Sequence, residues 1–185
     1  MNTLSLVHDT LTRFIQPGFT CLDATAGNGR DTVFLCGLTG KTGRVLAFDI
    51  QEEAVRRSRQ RIADEGWSDV AEVFCDSHAN MANYAAPESV DCIVFNLGWL
   101  PGGDHTIFTH ADSTIAAIEA GMKLLRKGGL MCVSMYYGGA SGYEERDALM
   151  EYWKTVNPDE FTVLVTQFAN RAGDPPIPVF LIKGT

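Results

Sequence analysis

Residues 23–32 read Asp23-Ala24-Thr25-Ala26-Gly27-Asn28-Gly29-Arg30-Asp31-Thr32, between the runs Phe19 to Leu22 and Val33 to Leu38. This order predicts a strand, a tight glycine turn and a helix. Gly27 and Gly29 lack a Cβ atom, so the backbone can adopt positive φ and approach a ligand closely. The helix that follows offers unpaired N–H groups and the positive end of its dipole. The stretch therefore predicts a ligand site at the end of the first strand.

Asp23 separates this site from an ordinary dinucleotide site. It ends the first strand, four residues before Gly27. A carboxylate there repels a pyrophosphate but attracts the ammonium group of an amino acid. The full Gly-x-Gly-x-x-Gly fingerprint is also absent, because Thr32 stands at the third glycine position. Both features count against an NAD-dependent oxidoreductase.

Composition narrows the class of protein. The 185 residues are 45% hydrophobic and 21% charged, which predicts one soluble domain over residues 1–185. No apolar run has the length of a membrane span, and the N-terminus lacks a signal-peptide pattern, so we expect a cytoplasmic protein. The scattered cysteines have no metal-ligand spacing, so we expect buried thiols and no metal site. The net charge of −8 argues against a large phosphate-binding surface.

Apolar periodicity predicts alternating strands and helices. We expect helices over residues 4–15, 31–39, 52–65, 113–125 and 144–154, the fourth closed by Lys127-Gly128-Gly129, and strands over 19–22, 44–48, 70–75, 90–95, 130–136, 161–168 and 179–182. Such alternation predicts an α/β fold with a mostly parallel sheet and helices on both faces. The last two strands have no helical pattern between them, so they are expected to pair antiparallel.

Polar residues stand where the predicted strands end. They are Asp23, Asp49, Asp76, Asn96 and Tyr136. Ligands of parallel sheets bind beyond the carboxyl ends of the strands. Asp49, about 20 residues after the glycine turn, is placed to accept both ribose hydroxyls of an adenosine. Asp76 is placed to accept a hydrogen bond from an adenine amino group, and His78 to pack on the adenine or on a sulfonium.

These motifs resemble class I S-adenosylmethionine (SAM)-dependent methyltransferases, whose Rossmann-like, seven-stranded sheet has one reversed strand. The closer resemblance is to the rRNA methylase family. It rests on residues 23–32, Phe48-Asp-Ile-Gln51, Asp76-Ser-His78, Asn96-Leu-Gly-Trp-Leu-Pro-Gly-Gly-Asp104 and Thr166-Gln-Phe-Ala-Asn170. The best understood members, of the MnmM or YtqB type, convert 5-aminomethyluridine at the tRNA wobble position to 5-methylaminomethyluridine. The resemblance thus implies SAM as cofactor and a tRNA anticodon loop as partner.

We assign candidate roles on the pattern and the resemblance together. Cofactor binding is expected of Asp23, Ala24, Gly27, Asn28, Gly29, Asp31, Thr32, Asp49, Gln51, Asp76, Ser77, His78 and Asn96. Catalysis is expected of Asn96, Leu97, Trp99 and Asp104, and substrate binding of His8, Gly98, Pro101, Gly102, Gly103 and Tyr136. If a general base exists, Asp31, His78 and Asp104 are the candidates.

The stretch after the fourth strand suggests how an amine is methylated. Amino-methylating enzymes place an Asn-Pro-Pro-aromatic loop there, whose side-chain amide and backbone carbonyl accept hydrogen bonds from the amine. Asn96, the carbonyl of Leu97 and the ring of Trp99 match this arrangement, and Gly98 allows close backbone approach. Residues 101–105, Pro101-Gly102-Gly103-Asp104-His105, are expected to form a lid or substrate clamp.

Some features of the chain depart from the family. Trp99 stands where the family often has Tyr, and Tyr137 where it often has His.

Alternative functions are methylation of a small amine, methylation of rRNA, and a non-catalytic SAM-binding subunit. Apolar helix surface is compatible with a homodimer. Candidate RNA contacts are Arg30, Lys41, Arg44, Arg146, Lys154 and Arg171, which the sequence does not place on one face.

Overall fold

The glycine turn joins the first strand to the second helix of an alternating α/β chain. The computed structural model describes residues 1–98, 111–137 and 139–184. The helices are α1 (Thr3–Phe14), α2 (Arg30–Thr39), α3 (Glu52–Asp64), α4 (Ala111–Leu124) and α5 (Gly139–Trp153), and a 3₁₀ helix spans His78–Asn83. The strands are β1 (Thr20–Asp23), β2 (Arg44–Asp49), β3 (Ala71–Cys75), β4 (Val90–Leu97), β5 (Leu125–Met135), β6 (Phe161–Val165) and β7 (Ile177–Lys183).

The strands form one sheet in the order β3-β2-β1-β4-β5-β7-β6. β7 runs antiparallel to both of its neighbours, β5 and β6. The pairs among β1 to β5 are parallel. This confirms the predicted seven-stranded, mostly parallel sheet with one reversed strand. The order reverses between β1 and β4, and the glycine turn lies at that switch point, where open α/β sheets bind ligands.

Each face of the sheet carries its own apolar core. Successive side chains of β4 alternate between them: Cys92 and Val94 join the core that includes α1, α2 and α3, while Ile93 and Phe95 join the core that includes α4 and α5. A strand buried on both faces needs apolar residues at every position, which explains the continuous apolar run that identified β4 in the sequence.

The structure corrects the prediction for Lys127-Gly128-Gly129. These residues lie within β5 instead of closing α4, because β5 begins at Leu125. Val90 pairs with Leu125 and Cys92 with Leu130, so four residues of β5 stand opposite the single residue 91. This irregularity is a bulge, and Gly128 has a φ of 72° within it.

Two helices also differ from the prediction. α5 begins at Gly139 instead of Glu144, since the Gly- and Ser-containing start of this helix has no apolar periodicity. The 3₁₀ helix His78–Asn83 was not predicted, because so short a turn leaves no periodic signal.

Four cysteines are buried as expected, and Cys75 is exposed. In the described ranges, no helix has both the length and the apolar character to cross a bilayer.

Candidate active site

Helix α3 holds the glycine turn in place from behind. Gly27 and Gly29 have φ values of 53° and 73°. The hydroxyl of Ser58 donates to the carbonyl oxygen of Gly27 at 2.9 Å, and Nε of Arg61 donates to that of Asn28 at 2.8 Å. A Cβ at Gly29 would lie 2.9 Å from Cα of Ser58. Glycine is therefore needed there both for the backbone angle and for the close helix contact. The sequence reasoning did not identify Ser58 or Arg61, because contacts between a helix and a turn about 30 residues away leave no local pattern.

The turn is also pinned to its neighbouring strands. The backbone N–H of Ala24 donates to the carbonyl of Val94, and that of Ala26 to the carbonyl of Phe48, both at 2.8 Å. The hydroxyl of Thr25 accepts a bond of 2.7 Å from the backbone N–H of Asn96. The first polar residues after β1 are thus fixed beside the end of β4, so the predicted cofactor and catalytic stretches meet.

Asp23 is buried beneath the turn. Its carboxylate accepts bonds from the Thr32 hydroxyl at 2.6 Å and from the backbone N–H of Thr25 at 3.2 Å. Neither Asp23 nor Thr32 has exposed surface. Burial raises the pKa of Asp23 to about 7, with a further contribution from the charge of Asp31. Asp23 thus ties β1 to α2 through Thr32, a contact that the sequence reasoning did not foresee. Cofactor contact by Asp23 or Thr32 stays a prediction.

Asp49 does reach the glycine turn. One carboxylate oxygen accepts from the backbone N–H of Gly27 and the other from that of Gln51, both at 2.9 Å. Gln51 is the N-cap residue of α3. These bonds hold the acid in one orientation while each oxygen retains a lone pair for another donor. Ribose binding by Asp49 remains a prediction, and the site geometry suits it.

Asp76 is held by its own local network. It accepts hydrogen bonds from the Asn80 amide, the Tyr84 hydroxyl and the backbone N–H of Ser77 at 2.7 to 2.8 Å. These bonds lower the pKa of the Asp76 carboxyl, so it is an anion at neutral pH. Asn80 and Tyr84 belong to the unpredicted segment around the 3₁₀ helix, which explains why the sequence reasoning missed both residues.

His78 lies between this segment and the glycine turn. Burial lowers the pKa of its imidazole, while a hydrogen bond to the backbone of Ala24 acts in the opposite direction. Its ring centroid lies 5.8 Å from that of Phe95 on β4. A largely neutral ring near the turn is suited to packing on a cofactor, and cofactor contact by His78 stays a prediction.

Three distant residues meet at a second centre beside the turn. Nδ2 of Asn96 donates to Oδ2 of Asp31 at 2.6 Å, and Nε2 of His8 lies 2.9 Å from Oδ1 of the same carboxylate. The His8 ring also stacks on Phe34 with centroids 3.9 Å apart. α1, α2 and β4 therefore contribute one side chain each to a His8–Asp31–Asn96 network.

The network orients the amide of Asn96. An ionised carboxylate only accepts hydrogen bonds, so the NH₂ group must face Asp31. The opposite atom, Oδ1, is then turned away from Asp31 as an acceptor. An acceptor in a fixed direction is what positioning a neutral amine requires.

Tyr136 borders the same centre. The residue is 40% exposed, and partial burial together with the charge of Asp31 raises the pKa of its hydroxyl. Its backbone N–H donates to the carbonyl of Leu97 at 3.1 Å. The carbonyl that we expected to accept from an amine thus already carries a ladder bond and has one lone pair left. Gly98 has a φ of 131°, and a Cβ there would lie 3.2 Å from both Cβ and the carbonyl oxygen of Tyr136.

The remaining predicted site residues lie outside the described residues. They are Trp99, Pro101, Gly102, Gly103 and Asp104. Within the described ranges, no three His, Cys, Asp or Glu side chains are grouped so as to hold a metal ion. Three acids lie on this side of the sheet: Asp49 and Asp76 where β2 and β3 end, and Asp31 in the first turn of α2. This charge favours a cationic ligand.

The chain is similar to several known proteins. A family profile described as “Putative rRNA methylase” matches residues 45–182. A chloroplastic tRNA (mnm(5)s(2)U34)-methyltransferase of Arabidopsis thaliana is 31% identical over 96% of this chain and 68% of its own. The crystal structure of a “putative rRNA-methylase” from Clostridium thermocellum superposes with a TM-score of 0.96 at 42% identity, covering 99% of this chain and 98% of that one. A methyltransferase from Streptococcus mutans in complex with SAH gives 0.88 at 32% identity, with the same coverage.

Proposed function

The chain belongs to the family described as “Putative rRNA methylase” and is a SAM-dependent methyltransferase. On this premise, we propose that it methylates the amine of 5-aminomethyluridine at the wobble position of tRNA. The observation that carries the proposal is the contact between Asp31 and Asn96, which directs an amide acceptor beside the glycine turn. The tRNA methyltransferase similar to this chain supports the choice of substrate.

The residues present fit SAM. Gly27 and Gly29 leave the turn without side chains, so a cofactor can lie against its backbone. Asp49 and Asp76 are ordered acceptors at the ends of β2 and β3, suited to the hydroxyl and amino groups of an adenosine. The surrounding negative charge suits a ligand with an ammonium and a sulfonium group. When bound there, SAM supplies a methyl group activated by its sulfonium.

The protein must present the amine as a neutral nucleophile. A protonated amine has no lone pair, so one proton has to leave before the C–N bond forms. We assign this proton to the His8–Asp31 pair, which adjoins the amide expected to hold the amine. The side chain of His8 is 28% exposed, so a proton accepted there can pass to solvent. Methylation then gives a secondary ammonium, which loses a second proton by the same path.

Each side chain of the network has one role in this proposal. Asn96 aims the lone pair through Oδ1, Asp31 holds Asn96 and shares the proton, and His8 connects Asp31 to solvent. Tyr136 forms part of the wall of the substrate site. The base is expected to stack on Trp99, which lies outside the described residues.

Methyl transfer to defined tRNA tests the function. Purified protein is incubated with tritiated SAM and tRNA carrying 5-aminomethyluridine at the wobble position, and with matched tRNA lacking the aminomethyl group. We expect label only in the first tRNA, recovered as 5-methylaminomethyluridine after nucleoside digestion. Label in the second tRNA, or none in either while SAM still binds, contradicts the proposed substrate. Small amines and rRNA are then tested with the same protein.

A further inference from the structure

A second concave surface lies between α5 and the segment that joins β6 to β7. We call it the α5 groove. It has a volume of about 440 Å³, and its lining includes Tyr137, Arg146, Lys154, Gln167, Phe168 and Arg171. Small-ligand sites span about 300 to 1,000 Å³, so a group the size of one nucleotide fits. None of these side chains belongs to the candidate active site.

The α5 groove adjoins the active site through two consecutive residues. Tyr136 contacts Gly98 and is influenced by the charge of Asp31, whereas Tyr137 packs against the core on the α4 and α5 side. Cα atoms of consecutive residues lie about 3.8 Å apart, so the α5 groove adjoins the candidate active site just beyond the end of β5, and neighbouring nucleotides of one RNA strand suit the two sites.

Three cations and two acids, Asp147 and Glu151, line this groove, so its lining carries a net positive charge in a chain whose net charge is −8. Arg146 pairs with Asp147 at 2.6 Å and Lys154 with Glu151 at 2.6 Å. The acidic partners are largely exposed, and such surface pairs contribute little stability, so a phosphate can replace them. Lys41 and Arg44, also considered as RNA contacts, lie near the start of β2, next to the edge strand β3 and far across the sheet from β6 and β7.

Aromatic rings lie beside these cations. The guanidinium of Arg146 lies 4.9 Å from the ring centroids of both Tyr137 and Tyr143, and that of Arg171 lies 5.9 Å from Phe168. Planar guanidinium and aromatic groups are the surfaces on which unpaired bases stack. The amide of Gln167, an exposed residue of the lining, adds a donor and an acceptor for a base edge.

We propose that the α5 groove binds an unpaired nucleotide of the RNA substrate, next to the nucleotide that is methylated. The base stacks on Phe168 and its phosphate contacts Arg171 and Lys154. This inference rests on the proposed function, since it presumes an RNA substrate. It explains how an acidic protein holds RNA with one small basic groove instead of a broad basic surface.

Equilibrium binding tests the groove separately from catalysis. A fluorescein-labelled anticodon stem-loop RNA with 5-aminomethyluridine is titrated with wild-type protein, F168A, F168Y and R171A, with fluorescence anisotropy as the readout. We expect F168A to weaken binding about tenfold or more, because stacking on that ring is lost, and F168Y to retain affinity. R171A is expected to weaken binding and to reduce the slope of log K against log salt by about 0.7.

The matched control is K41A, because Lys41 is also a cation over an aromatic ring, 4.3 Å from the centroid of Trp67 at the far edge. It should bind RNA like the wild type. SAM affinity by calorimetry should be unchanged in all variants, which shows that they are folded. Unchanged RNA affinity in F168A and R171A overturns the groove even if methylation of the tRNA is observed. Weakened binding by these variants supports the groove even if methyl transfer fails, and no RNA binding by the wild type overturns both proposals.

Discussion

The side-chain amide of Asn96 donates a hydrogen bond of 2.6 Å to the carboxylate of Asp31, across 65 positions of the chain. The bond joins the end of β4 to the first turn of α2. It therefore connects the residue expected to hold the substrate with the helix that begins at the cofactor turn.

Asp31→Ala should lower kcat by about 100-fold, because it removes both the orientation of Asn96 and a proton acceptor. Asp31→Asn separates these roles, since its amide oxygen can still accept from Asn96 but cannot take a proton. We expect it to stay nearly as slow, measured by single-turnover methyl transfer. Asp9→Ala, an exposed acid on α1, is the control. Full recovery of the rate by Asp31→Asn would show that Asp31 only positions the amide.

Asp49→Ala should weaken the binding of SAM and leave the rate of the chemical step unchanged. Losing an ionised acceptor costs about 1.5 to 3 kcal/mol, so the Kd for SAM should rise about tenfold to hundredfold. The rate at saturating SAM should stay close to that of the wild type. Calorimetry with SAM and rates at several SAM concentrations measure the two effects. Glu72→Ala, an exposed acid on β3, should change neither. An unchanged Kd in Asp49→Ala would remove Asp49 from the cofactor site.

Gly29→Ala should destabilise the protein by about 1 to 3 kcal/mol, because its φ is 73° and its Cβ would press on Ser58. Gly37→Ala offers a control within the same helix. A Cβ at Gly37 meets nothing within 4 Å, so this exchange should stabilise α2 by about 1 kcal/mol. Urea unfolding monitored by circular dichroism measures both. Equal effects of the two substitutions would rule out a special requirement for glycine in the turn.

Asp23→Asn should change how stability depends on pH. Burial raises the pKa of Asp23 from 3.8 to about 7, so the folded state binds a proton that the unfolded state has lost. The stability of the wild type due to this group therefore falls between about pH 4 and pH 7, by at most about 4 kcal/mol, and is constant above.

The amide that Asp23→Asn introduces does not titrate, so this contribution to the pH dependence is absent from the variant. The free energy of unfolding of the variant should thus rise relative to the wild type between about pH 4 and pH 7 and stay level above. Urea unfolding at several pH values measures the difference in the free energy of unfolding between the variant and the wild type. Both proteins contain His78, so its contribution cancels in this difference. Thr32→Ser, which keeps the hydroxyl donor, should retain the wild-type slope. Parallel curves for Asp23→Asn and wild type would mean that Asp23 ionises as an ordinary carboxyl.

Much of the fold could be predicted because its signals are local. The continuous apolar run of β4, the glycine turn and the polar residues that end the strands each depend on residues close in sequence. The bulge at Lys127-Gly128-Gly129 and the 3₁₀ helix could not be predicted in this way. The first depends on pairing with β4, and the second is too short to have a period.

The sequence by itself determined the alternation of strands and helices, the one reversed strand and the strand ends at which Asp49, Asp76 and Asn96 stand. Only the tertiary structure decided that Asp23 is buried, that His8, Asp31 and Asn96 form one network, and that Arg146, Lys154 and Arg171 line one groove. The reason is that periodicity defines an element and its buried face, whereas contacts between side chains depend on how separate elements pack against the sheet.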